Sequence, residues 1–245
     1  MCTTNMTGKT SKYIDIHITK SKLMKKLIFS NAQEEERCSK YLDLKGVAYH
    51  VVLINFIGLD DDGKIKYKTV SDLYKYDKRL RNRLYKFISA FEEQIRAFIA
   101  NSHNHGLSTL KLGESIKANL KNGSNIAFEL EDLDFGQLIQ IVEKFTDKDL
   151  KRMFPNSDEY VIQNLRAIKE LRNAISHHRI LLMYYDYETC YINGEEKNDL
   201  TNNIKNLVNM ISDYYKKFLI ESVNDAINDK RDVNFKLLDN LEIKI

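Results

Sequence analysis

Leu73, Leu80, Leu84, Phe87, Phe91, Ile95 and Phe98 recur at steps of three, four or seven residues. That period keeps them on one side of a helix, so the pattern predicts an amphipathic helix over about 71 to 102. Thr69 and Asp72 supply an opening capping pair, and "NSHNHG" (101 to 106) closes the run. The same period returns in Leu200, Ile204, Leu207, Ile211, Tyr214 and Phe218, which predicts one last long helix. Val161, Ile168, Leu171 and Ile175 predict a helix over 161 to 179, restarted after the lone Pro155. Ser30 with Gln33 resembles a capping box, and Gly46 is placed to end a helix over 31 to 45. "FGQLIQIVEKF" (135 to 145) and "DKDLKRMF" (147 to 154) read as two short helices.

Alternation is rare. "YIDIHIT" (13 to 19) predicts a short N-terminal strand, "DDDGKIKYK" (60 to 68) an exposed turn, and "YYDYETCYINGEEKN" (184 to 198) a loop or brief hairpin. No repeat and no Gly/Ser/Pro linker divides the chain. The expectation is an all-α, mainly helical protein with one domain over 29 to 225, an N-terminal extension over 1 to 28 and a C-terminal tail over 226 to 245.

Composition narrows the class. One proline, nine glycines and no tryptophan in 245 residues suit long uninterrupted helices. The longest greasy run, "VVLINFIGL" (51 to 59), is core-sized, too short for a membrane span. The polar N-terminus has no signal-like apolar segment, and Cys2, Cys38 and Cys190 are odd in number and far apart. A cytoplasmic protein with no disulfide framework, no metal site and no cofactor is expected. Between 64 and 86 stand nine basic residues (Lys64, Lys66, Lys68, Lys75, Lys78, Arg79, Arg81, Arg83, Lys86) against Asp72 and Asp77. Such a stretch is either a polyanion footprint or a solvated helix face.

The candidate chemistry lies in "LRNAISHHRILL" (171 to 182). On the predicted helix, Asn173 and His177 are neighbours four residues apart, beside Arg166, Lys169 and Glu170. Arg172 borders the apolar face next to Ser176. A five-residue step is about 140° of turn, so Arg172 and His177 do not simply point together. The arginine could reach round, the helix could end near the histidine, or a second copy could bring its own pair close. Histidine can move a proton to or from a ribose 2′-OH or a leaving 5′-oxygen, and arginine can fork onto a charged phosphate. Asparagine can orient either group. The set suits metal-free RNA cleavage, and equally it could be the wet face of an ordinary helix.

"RNAISH" followed by "HR" resembles the motif of the Abi-like (abortive-infection) proteins of the HEPN superfamily: Arg, usually a polar residue, then His four to six positions on. "VSDLYKYDKRLRNRLYKFISAFEEQIRAFIANSHNHG" (70 to 106) and "FELEDLDFGQLIQIVEKF" (128 to 145) resemble two further segments of that family in its order. "GVAYHVVLINFIG" matches the family's tyrosine-rich segment only loosely. Ile175 or Ser176 stands where a cysteine is common, and Arg179 stands where adenylylated relatives carry tyrosine. The resemblance implies a HEPN-type helical bundle forming a homodimer, with two Arg/His pairs in one cleft. One histidine would act as base and its symmetry mate as acid.

It implies a phage-defence or toxin-like endoribonuclease, restrained by an antitoxin such as a small noncoding RNA. Arg172, Asn173 and His177 are then the catalytic set, with Ser176 and His178 in support. Arg79, Arg81, Arg83, Arg166, Lys169 and Arg179 are the candidate RNA contacts. Two other readings stand beside it: an RNA-binding defence component that cuts nothing, and a structural helical dimer with an incidental basic face. "HNH" (103 to 105) has no partner ligands at metal spacing, Glu92 and Glu93 are expected to pair with nearby cations, and Tyr184, Tyr185 and Tyr187 to pack under a loop.

Overall fold

The computed structural model of the chain describes residues 13–104, 112–155, 159–228 and 241–245, with only the backbone of His103 and Asn104. Among them are eleven α-helices and two two-stranded ribbons, a mainly helical fold as the period predicts. The chain divides into two compact units, and the boundary falls inside one long helix, between Asp77 and Lys78.

In the first unit, α1 (Lys20–Met24), β1 (Leu27–Ile28), α2 (Ala32–Lys45), α3 (Val47–Ile57) and β2 (Ile65–Lys66) precede the opening of α4 (Tyr67–Asn104). The cap of α2 lies one residue beyond the predicted one: Asn31 accepts from the Glu34 amide at 2.9 Å, while Glu34 Oε2 accepts from the Ser30 amide at 2.6 Å. Gly46, at φ 86°, ends α2 and hands the chain to α3, a conformation that side-chain-bearing residues avoid. Most of the greasy run lies in α3, with Val51, Leu53 and Ile54 buried; the helix packs on α2, and its Tyr49 and His50 rings meet Tyr74 and Tyr67 at the start of α4.

The predicted strand at 13 to 19 does not form. Ile14 instead exchanges two hydrogen bonds with the Asn55 side chain, 2.7 and 2.9 Å, and the chain turns at once as the Ile18 amide bonds the Asp15 carbonyl. The amide of Asn55 takes the place of a partner strand. A strand falls later, where Leu27–Ile28 pairs in parallel with Ile65–Lys66, so part of the predicted turn at 60 to 68 is β2.

In the second unit, α4 continues, followed by α5 (Glu114–Lys121), α6 (Ile126–Glu131), α7 (Phe135–Val142), α8 (Asp147–Met153), α9 (Val161–Ser176), β3 (Cys190–Ile192), β4 (Glu195–Lys197), α10 (Leu200–Met210) and α11 (Asp213–Asn224). Asp134 with Gln137 and Thr146 with Asp149 form reciprocal capping boxes that start α7 and α8. Of the loop or brief hairpin expected over 184 to 198, the structure has the hairpin, and Asn193 and Gly194, at φ 53° and 79°, carry the two left-handed positions its tight turn needs.

The predicted last helix is two helices. Ile211 turns extended, and the Ser212 amide is taken by Gln94 Oε1 of α4 at 2.9 Å, which stops α10 and lets α11 begin. Ala226 is buried in a short 3-10 turn (Asp225–Ile227), and Asn224 bonds both backbone groups of Ile245.

Candidate functional site

The predicted apolar face of α9 is buried, Ile168 and Leu171 fully and Val161 and Ile175 nearly so, and Leu165, Ala167 and Ala174 widen it. The end of the helix differs from the prediction. α9 stops at Ser176, three residues short of the expected 179. His177 is the C-cap, His178 turns left-handed at φ 56°, the His178 amide bonds the Ile175 carbonyl at 3.1 Å and the Arg179 amide the Ala174 carbonyl at 2.9 Å. This pair of bonds is a Schellman cap, in which the left-handed place usually belongs to glycine. A histidine there is a strained choice that costs on the order of 1 kcal/mol. Of the three arrangements considered for Arg172 and His177, one is met in part: the helix ends at the histidine.

The last turns hold the polar set as follows. His177 is exposed, its amide bonded to the Asn173 carbonyl at 2.9 Å, and Asn173 and Ser176 are half-buried. Arg172 donates Nε to Glu92 Oε1 of α4 at 3.1 Å. Glu92 is itself mostly buried, its other oxygen 3.7 Å from Arg96, and Arg96 is fixed by the carbonyls of Leu130 and Leu133 at 3.2 and 2.8 Å. Glu92 thus does pair with cations, and one of them is the candidate phosphate-binding arginine. Its Nε bond orients the guanidinium and leaves the Nη edge as the face for a bidentate ligand.

Arg179 lies over the Tyr184 ring at 4.7 Å and reaches Glu170 at 3.3 Å, and the Tyr184 hydroxyl donates to the same Glu170 oxygen at 2.6 Å. Burial first, and then that carboxylate, raise the Tyr184 pKa.

The other candidate RNA contacts are spread over the unit. Arg166 forks onto Glu143 at 2.6 and 3.1 Å, an exposed pair worth under about 1 kcal/mol. The stem of Lys169 runs past Gly136 of α7, where an added Cβ would stand 3.8 Å from its Cδ. Arg83 reaches the carbonyl of Ser222 in the last turn of α11 at 2.7 Å, and Arg79 that of Ile227 in the 3-10 turn beyond it at 3.4 Å, so both brace this end of the chain. Arg81 is only 6% exposed. In the same basic stretch Lys68 and Lys75 flank the buried Asp72 at 2.6 and 3.9 Å.

Arg81 nonetheless forms part of a cleft of about 510 Å³ lined by Arg81, Asn82 and Tyr85 of α4 and by Ile175, Ser176 and His178 at the end of α9. Asn82 and Tyr85 stand outside the candidate set drawn from the sequence. The available signal was an aromatic on the polar side of an amphipathic helix: Tyr85 is 55% exposed beside the buried Leu84.

Other reactive groups are quiet. Burial pushes the thiols of Cys38 and Cys190 up to about 11, so both stay protonated near neutrality. No group of three metal-ligating side chains occurs among the described residues, and the side chains of the "HNH" run lie outside them. Among the described residues no helix is long and apolar enough to cross a membrane. Comparison with protein-family models, with curated proteins and with solved structures finds no match.

Proposed function

We propose that this chain is a metal-independent endoribonuclease of the HEPN type, acting in phage defence or as a toxin, and that it works as a homodimer in the cytoplasm. The observation that carries the reading is the end of α9. There an exposed His177 stands on the cap, Asn173 stands one turn before it, and Glu92 holds Arg172 on the same stretch of helix. The reaction class comes from the motif resemblance together with this chemistry.

In that reaction His177 takes the proton of a ribose 2′-OH, and the 2′-oxygen attacks its own phosphorus. The bond to the 5′-oxygen breaks, and that oxygen leaves with a proton from the imidazolium of the second copy. Arg172 steadies the extra negative charge on the five-coordinate phosphorus. Asn173 orients the phosphate or the imidazole. The products are a 2′,3′-cyclic phosphate and a 5′-hydroxyl, and DNA, which lacks the nucleophile, is not cut. A small noncoding RNA or another antitoxin would restrain the enzyme between infections.

The test is cleavage of end-labelled structured RNAs and tRNA in EDTA. Wild-type protein should leave 2′,3′-cyclic phosphate ends, and His177→Ala should lower the rate about 10²- to 10⁴-fold with folding and dimerisation unchanged. Binding without cleavage by both forms, after removal of copurified nucleic acid, would sink the nuclease reading. The chain would then be an RNA-binding component that cuts nothing.

A further inference from the structure

The cleft beside the cap contains neither Arg172 nor His177, so the proposed chemistry leaves it unused. Its size, about 510 Å³, falls within the range of small-molecule sites. Its walls are mixed. Tyr85 offers an exposed ring and Ile175 an apolar surface that is 4% exposed. Asn82 carries two N–H donors and two acceptor lone pairs, Ser176 a hydroxyl and His178 an imidazole. A flat π-face, an apolar wall and an amide that can pair with an edge are what an unpaired nucleobase needs.

A phosphate fits the cleft less well. The carboxyl end of a helix carries partial negative charge, and the arginine in the lining, Arg81, is only 6% exposed and already engaged within the fold. The strained left-handed turn at His178 has a consequence here. It ends the helix so that Ser176 and His178 line the cleft, while His177, between them in the chain, stays outside it.

We propose that this cleft is a subsite for one unpaired base of a single-stranded RNA, stacked on Tyr85 and read at its edge by Asn82, next to the nucleotide whose phosphate meets His177. The proposal rests on the nuclease reading for its substrate class. It confines cutting to loops and single strands, since a base held in a duplex cannot enter.

The experiment uses the full chain and a short fluorescent oligoribonucleotide carrying 2′-O-methyl groups throughout, which cannot be cleaved by 2′-OH attack. Anisotropy is compared for the single strand and its duplex. Tyr85→Ala should weaken single-strand binding about 5- to 100-fold, Tyr85→Phe should stay within about twofold because the ring is kept, and duplex binding should not change. Asn82→Asp should also weaken the single strand. Melting temperature and oligomeric state serve as controls, because both side chains are exposed.

Unchanged single-strand binding by Tyr85→Ala overturns the subsite. So does equal loss on the duplex, or a shift from dimer to monomer, which would make the cleft a surface between copies. The two readings fail separately. If His177→Ala abolishes cutting while Tyr85→Ala binds normally, only the subsite is lost. If nothing is cut but Tyr85→Ala binds poorly, only the nuclease is lost.

Discussion

Two asparagines on α9 do opposite work. Asn164, near the start, is 5% exposed and grips Tyr191 of the hairpin from both sides: Tyr191 donates its amide at 2.7 Å, and the Asn164 amide donates to the Tyr191 carbonyl at 3.2 Å. Asn206 of α10 closes the cluster by donating to the Asn164 carbonyl at 2.9 Å, and Asn203, also fully buried, donates to the carbonyls of Glu188 and Asp199. The stacked rings of Tyr160 and Tyr191, 3.9 Å apart, lie beside it. Asn173, nine residues on, is half-exposed in a turn that ends in a strained histidine. A buried amide whose groups are consumed by backbone builds the fold. A polar residue held at the surface beside an ion pair, a turn ahead of strained backbone at His178, is where function is to be sought.

The contrast can be broken by substitution. Asn164→Ala leaves the amide and carbonyl of Tyr191 without their partner, and each unsatisfied buried group costs about 1–3 kcal/mol. Urea unfolding should therefore register a loss of about 3 kcal/mol, with the hairpin amides exchanging fastest. A loss under about 1 kcal/mol would mean that water replaces the amide freely and that the contrast is false.

At the other end of the helix, His178→Gly and His178→Ala both remove the imidazole but differ in backbone freedom. The glycine variant should be more stable than the alanine variant by about 1 kcal/mol, and equal melting temperatures would deny the left-handed cap. Asn173→Ala should shift stability by less than about 0.5 kcal/mol while lowering RNA cleavage. A large stability loss there would make Asn173 a second Asn164.

The apolar stripes of α4 and α9 and the short helices α7 and α8 were legible because their causes are local. Each is a period or a cap within a few residues. What escaped was decided at a distance. Nothing around Ile211 announces a break, because the apolar period runs straight through it, and the stop comes from Gln94 far back in the chain. "YIDIHIT" alternates like a strand, but its partner is a side chain on α3. The end of α9 was hidden for another reason: no glycine marks the left-handed place, and "SHHR" continues a plausible polar face. The polar set at 172 to 178 was therefore named from the sequence, while its pairing with Glu92 and the cleft beside it needed the fold.

Arg96 touches neither Arg172 nor the cleft, yet it ties Glu92 to the carbonyls at 130 and 133. For the nuclease proposed above, alleles that end RNA cleavage would fall at Arg96 and Glu92 as well as at Arg172. A map of such alleles would trace a line from the helix cap back into the protein.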